Sequence, residues 1–158
     1  MNKVDISAEA VDLPVWDKAA KKFILKTLEK IHRVNWDISI LFCNNAFIQE
    51  LNERYRQKKE STDILSFPIS ETIHENGEER YIAGDIVISL ESLPENAERF
   101  GISQDEELRR LLVHGILHLD GLEHTIHDIS ADALAAEPML FLQEHIISEL
   151  SEERILSV

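Results

Sequence analysis

A chain of 158 residues and 18.1 kDa is about one domain, on the usual prior of roughly 150 residues per domain. Apolar residues make up 44% of it and charged residues 29%, which excludes a disordered polymer, and no apolar run approaches the roughly 18 residues of a membrane-spanning helix. The net charge of −14 would argue against a polyanionic partner only if it were evenly spread, and it is not.

The N-terminal segment carries Asp5, Glu9 and Asp12 where a secretory signal needs an apolar core, so no export is expected. Val4 and Ile6 alternate with polar residues and predict a first strand. Pro14 opens a helix that buries Ala19, Phe23, Leu28 and Ile31, while Lys18, Lys22, Lys26 and Lys30 recur every four residues on another side. Residues 18–33 hold six bases against Glu29 alone. Ile38, Ile40 and Phe42 predict a strand that ends at the capping residues Asn44 and Asn45, and a helix follows from Ala46 to about Tyr55. A second basic knot, Arg54, Arg56, Lys58 and Lys59, comes next. Cys43 reads as a small core residue, and a single cysteine excludes an internal disulfide and suits a reducing cytoplasm.

Ile64 to Phe67 is β-like and is expected to stop at Pro68. Ser70 to Arg80, with Gly77 and four glutamates, reads as a solvated turn or hairpin tip. Ile82 to Ser89 is the strongest strand signal, and Ser89 to Phe100 predicts a helix with Pro94 near its start. Ser103 and Glu106 form a capping box, so a helix begins at Gln104; it buries Leu108, Leu111, Leu112 and Ile116 and should end at Gly121. A last helix is expected from about Ser130 to Leu150, in a region (111–158) holding nine acids and only one base, Arg154. Strands interspersed with helices and no linker predict one α/β domain over residues 1–158, in two or three layers.

The chemistry concentrates in residues 114–124. His114 and His118 stand four apart on a helix, so both imidazoles leave one face and can converge on one ion with bonds of about 2.0–2.1 Å. Gly121 can take positive φ and turn His124 toward the same ion. Three neutral imidazoles leave a zinc-type ion one open position, the arrangement of a catalytic rather than a structural site. The spacing matches that of metzincin proteases, where a glutamate after the first histidine acts as base; here that position is Gly115, which serves close packing or substrate approach, or is merely tolerated. His127 is a candidate fourth ligand or a surface histidine. Asp120 and Glu123 either orient the imidazoles or are plain solvated acids, and His32, His74 and His145 read as solvated.

With these residues in view, the sequence resembles the YbeY family of bacterial rRNA maturation factors, metal-dependent endoribonucleases. Leu51 to Lys58 and Thr62 to Pro68 resemble the family pattern LNxxYRxKDxPTDVLSFP, Gly84 to Ser89 its GDIVIS strand, and His114 to His124 its HGxLHLxGxDH block. Glu123 stands where that block has Asp, and Lys59 and Ser61 replace the Asp and Pro of the first. The resemblance implies an α/β (α+β) fold with a small mixed sheet of about four strands, and one Zn2+ (or another divalent transition metal) on His114, His118 and His124. It also implies cleavage of single-stranded RNA in ribosomal RNA processing, especially small-subunit 3′-end maturation, and ribosome quality control in the cytoplasm, with the small subunit or its assembly factors as partners.

The family's functional arginine falls on Arg56. That suits chemistry in which a guanidinium grips two non-bridging phosphate oxygens. Arg56 and His114 are therefore the candidate catalytic residues. Arg54, Arg56, Lys58 and Lys59 are the candidate RNA contacts, with the Lys18–Lys30 stripe either extending that groove or forming a solvated face. No DNA or membrane partner is expected. The alternatives are a metzincin-like protease or other zinc hydrolase, and a non-enzymatic assembly factor with a structural metal.

Overall fold

In the computed structural model of the chain, the described residues are 1–56, 62–121 and 138–156. Four strands form one mixed sheet in the order β1-β2-β4-β3. Strands β1 (Lys3–Ala8), β2 (Trp36–Cys43) and β4 (Glu78–Ser89) run parallel, and β3 (Ile64–Glu75) pairs antiparallel with β4 on the outer edge. The register aligns Ile6, Ile40, Ile86 and Ser66 across the sheet.

Alternation decides which face each residue takes. Val4, Ile38, Ile40, Phe42, Ile86 and Ile88 point to the face covered by α1 (Asp17–Lys30) and α4 (Gln104–Leu119). There they meet Phe23, Ile24, Leu28, Leu108, Leu112 and Ile116 in the main core, to which α5 (Pro138–Glu149) adds Met139, Ile146 and Ile147. The opposite face is covered only in part. Helix α2 (Asn45–Arg56) lays Ile48, Phe47 and Leu51 over Cys43, Leu65 and Val87. The remaining helix, α3 (Leu93–Phe100), ends at Gly101 with φ 67°.

The predicted elements recur with instructive shifts. Helix α1 starts at Asp17 rather than Pro14, because Trp16 turns inward to pack edge-on against Phe42, 5.2 Å between centroids. Its buried stripe runs through Ala20 and Ile24, with Ala19 only partly covered. Asn44 caps α2 as expected, its Oδ1 accepting from the Phe47 N–H at 2.9 Å. Helix α3 begins at Leu93 behind Ser92, not at Ser89, which still belongs to β4.

Two expectations about the β3–β4 region are corrected. Strand β3 does not stop at Pro68 but continues to Glu75, and β4 begins at Glu78 rather than Ile82. Proline lacks a ladder donor, which is harmless on an edge strand, and the register slips between Pro68 and Glu71 to accommodate it. The stretch read as a solvated turn or hairpin tip is a hairpin, closed by Asn76 and Gly77, both at positive φ (52° and 81°), as a two-residue primed turn requires.

Candidate metal centre

Helix α4 positions the chemistry, and its sequence fixes where it lies. The Ser103 hydroxyl accepts from the Glu106 N–H at 3.0 Å, closing the predicted N-cap. Asp105, only 4% exposed, binds Arg109 at 2.9 Å and accepts the N–H groups of Ile155 and Leu156 at 2.7 and 2.8 Å, tying the C-terminal segment to the helix start.

Further along, Gly115 faces the sheet. A β-carbon there would stand 2.8 Å from Ile86 Cδ1 and 3.2 Å from Ile64 Cδ1, so α4 is seated flush on β3 and β4. This resolves the role of Gly115 in favour of close packing. It also sets the position that carries the base in HExxH proteases against the sheet.

On the flank beside this contact, the half-buried imidazoles of His114 and His118 meet with centroids 4.6 Å apart and rings at 68°. Their Nε2 atoms are 3.0 Å apart. His114 Nδ1 lies 2.9 Å from Oε1 of the buried Gln143 on α5, so Nδ1–H donates and Nε2 keeps its lone pair. With the His114 proton on Nδ1, the contact is an N–H···N hydrogen bond in which His118 Nε2–H donates to the His114 Nε2 lone pair, and a bound cation would take the place of that proton. The spacing is near the roughly 3.3 Å expected for two ligands at about 2.0–2.1 Å on a tetrahedral ion. Neutral nitrogen donors, with one ring oriented by an amide oxygen, fit a zinc-type ion better than a hard oxygen-seeking one.

Gln143 escaped sequence reading, since it sits 29 residues from His114 on another helix. Its only signal is a polar side chain amid the apolar run of α5. Among the described residues no group of three metal-capable side chains occurs. The expected third ligand, His124, lies outside the described residues, as do Glu123 and His127.

The helix ends as predicted, with Gly121 at φ 89°. Asp120 is not a plain solvated acid: its side chain is 11% exposed and accepts from two nitrogens of the Arg33 guanidinium, Nε at 2.7 Å and Nη2 at 3.1 Å. Arg33 in turn lies over the Trp36 ring, 5.7 Å from its centroid. His145, read as solvated, is an exposed partner of Glu149.

The basic clusters fare differently. Lys26 reaches Glu153 at 2.5 Å and Lys30 reaches Glu149 at 2.6 Å, so the distal half of the lysine stripe is neutralised by acids from the C-terminal region. Hydrogen bonds from these lysines hold both glutamates below the ordinary carboxylate range. Arg54 is 61% exposed and pairs with Glu50, one turn back at 3.0 Å. Lys58, Lys59 and the side chain of Arg56 lie outside the described residues, although the Arg56 backbone is the last residue of α2.

Two other ionisable groups are strongly shifted. Burial pushes the Cys43 thiol up to about 11, in keeping with an inert core residue. Glu107, 4% exposed and two turns before His114 on α4, is raised to about 7 by burial and by the neighbouring Asp63 carboxylate. Among the described residues no helix is long and apolar enough to cross a membrane.

The comparisons with known proteins agree with this fold. The sequence profile of the family described as Endoribonuclease YbeY matches residues 3–151. A protein of that name from Treponema denticola is 46% identical over 139 residues, 87% of this chain and 86% of its own length. One from Treponema pallidum is 41% identical over 150 residues, 94% of this chain and 90% of its own. A solution structure of a Thermotoga maritima protein shares the fold, with a TM-score of 0.57 over 94% of this chain and 92% of its own at 24% identity. A profile match across nearly the whole chain, and relatives well above 30% identity, place the sheet and the histidine helix in one lineage: the chain belongs to the YbeY endoribonuclease family.

Proposed function

We propose that this protein is a zinc-type metal-dependent endoribonuclease that cuts unpaired RNA, with His114, His118 and His124 holding one divalent ion and Arg56 gripping the scissile phosphate. The observation that carries the reading is the meeting of the two Nε2 atoms at 3.0 Å, with His114 oriented by Gln143. When bound, the ion supplies a Lewis acid beside the phosphodiester. The residues of the chain do the rest. Gln143 Oε1 accepts a hydrogen bond from His114 Nδ1–H and keeps His114 in the ligating tautomer. The Arg56 guanidinium stabilises charge on the non-bridging oxygens, and Arg54, Lys58 and Lys59 hold the flanking backbone.

The relatives' name and the basic knot favour RNA over a peptide substrate, and Gly115 leaves no base in the protease position. The setting we infer is ribosomal RNA processing in the cytoplasm, on the small subunit or with its assembly factors.

The test is incubation of purified protein with single-stranded and duplex RNA, with and without a chelator, beside His118→Ala and Arg56→Ala variants. Cleavage of the single strand alone is expected, lost with chelator and in both variants, while Arg56→Ala still binds zinc. Activity that survives chelation or the His118→Ala change overturns the metal-dependent reading.

A further inference from the structure

We propose that Tyr55, braced by Phe67, is a stacking platform for one unpaired base of the RNA, and so a determinant of the preference for single strands. The inference rests on the endoribonuclease reading above and adds a subsite to it. Tyr55 is 62% exposed, near the end of α2. It is not loose: its ring meets Phe67 of β3 edge-on, with centroids 5.9 Å apart and planes at 77°. Phe67 is itself half-buried and packs into the small core under α2. One ring is thus fixed by the fold while its outer surface is open to solvent.

The neighbours supply the rest of a nucleotide site. Arg54 and Arg56 flank Tyr55 in sequence, and the Arg54 guanidinium is exposed. Across the sheet Phe67 pairs with Asp85 on β4, a carboxylate that disfavours phosphate beside it. Edge strand β3 separates the platform from the histidines by a single layer. Ile64 of β3 underlies Gly115 on one face while Phe67 supports Tyr55 on the other. A β-carbon at Gly84 would touch both Phe67 O (2.3 Å) and Leu119 Cδ2 (3.0 Å), which sets the backbone of Phe67 beside the helix turn that carries His118. A single strand crossing this edge can place one base on Tyr55 and a nearby phosphate at the imidazoles. Bases of a duplex are already stacked and paired, and cannot do so.

The test is fluorescence anisotropy with the full chain and a labelled pyrimidine RNA of about 12 nucleotides, in the 2′-O-methyl form to slow cleavage. Duplex RNA, and strands with one abasic position moved along the sequence, serve as comparisons. Tyr55→Ala and Tyr55→Leu are expected to weaken single-strand binding roughly tenfold, with Tyr55→Phe unchanged and duplex binding little affected. The parent protein should lose affinity for abasic strands at one position only, a readout independent of how any variant folds. Unchanged single-strand affinity in Tyr55→Ala, alongside RNA cleavage by the parent, overturns the platform but leaves the endoribonuclease reading standing. Leucine serving as well as tyrosine also overturns it, since packing rather than stacking would then suffice. A parent that neither binds nor cuts RNA overturns both.

Discussion

At the scale of single residues, the least conspicuous positions do much of the arranging. Gln143 is one hydrogen bond from an imidazole and far from it in sequence. Its replacement by leucine, similar in bulk but without the acceptor, should weaken zinc affinity about tenfold or more while leaving the melting temperature nearly unchanged; competition with a chromophoric chelator measures it. Gly115 works by what it lacks. Gly115→Ala gains about 1 kcal/mol of helix propensity but forces a methyl against Ile86, which has no free space, at a cost of about 1–3 kcal/mol. A net loss of roughly 1 kcal/mol in urea unfolding is expected. The histidine pair was legible because i and i+4 spacing on a capped helix is local information. The partners of Gln143 and Asp120 were not, since His114 and Arg33 reach them only once helices from distant parts of the chain have packed.

At the scale of elements, strong local signals survived folding and weak ones yielded to tertiary context. The capping box at Ser103, the Asn44 cap and the glycine stop at Gly121 all act over a few residues, and all stand where the sequence sets them. Strand β3 outran its signal at Pro68 because edge position, which makes proline tolerable, is a property of the sheet and not of the segment. The first turn of α4 carries a pH response. Burial raises the Glu107 carboxyl to about 7, from the 4.5 of an exposed glutamate in the unfolded chain. Between those values the unfolded state binds fewer protons, so stability falls as pH rises, by on the order of 3 kcal/mol at most across the window. Glu107→Gln should flatten the stability profile between about pH 4.5 and 7; thermal melts at half-unit steps check it, and an unaltered slope would assign the effect to other groups.

At the scale of the whole molecule, the acidic average conceals an internal arrangement of charge. The bases that look in sequence like a second nucleic-acid track are partly claimed by the protein itself: Lys26, Lys30 and Arg33 face Glu153, Glu149 and Asp120. On the proposed reading, RNA is met by the short knot Arg54, Arg56, Lys58 and Lys59. If its four bases each meet one phosphate, single-strand binding should fall with salt at a log–log slope of about −0.7 × 4, or near −3. Lys18→Ala and Lys22→Ala should leave both affinity and slope unchanged, whereas a slope steeper than about −5 would bring the stripe back into the interface.

The seating of α4 has a thermodynamic corollary. With glycine flush on the strands, one ring steered by an amide and the other pressed against it, two donor groups have already surrendered their torsional freedom. On the proposed reading, capture of the cation meets a smaller entropic penalty than at a site assembled from free side chains. Calorimetry should then show the loss of Gln143 mainly as a less favourable entropy of zinc uptake.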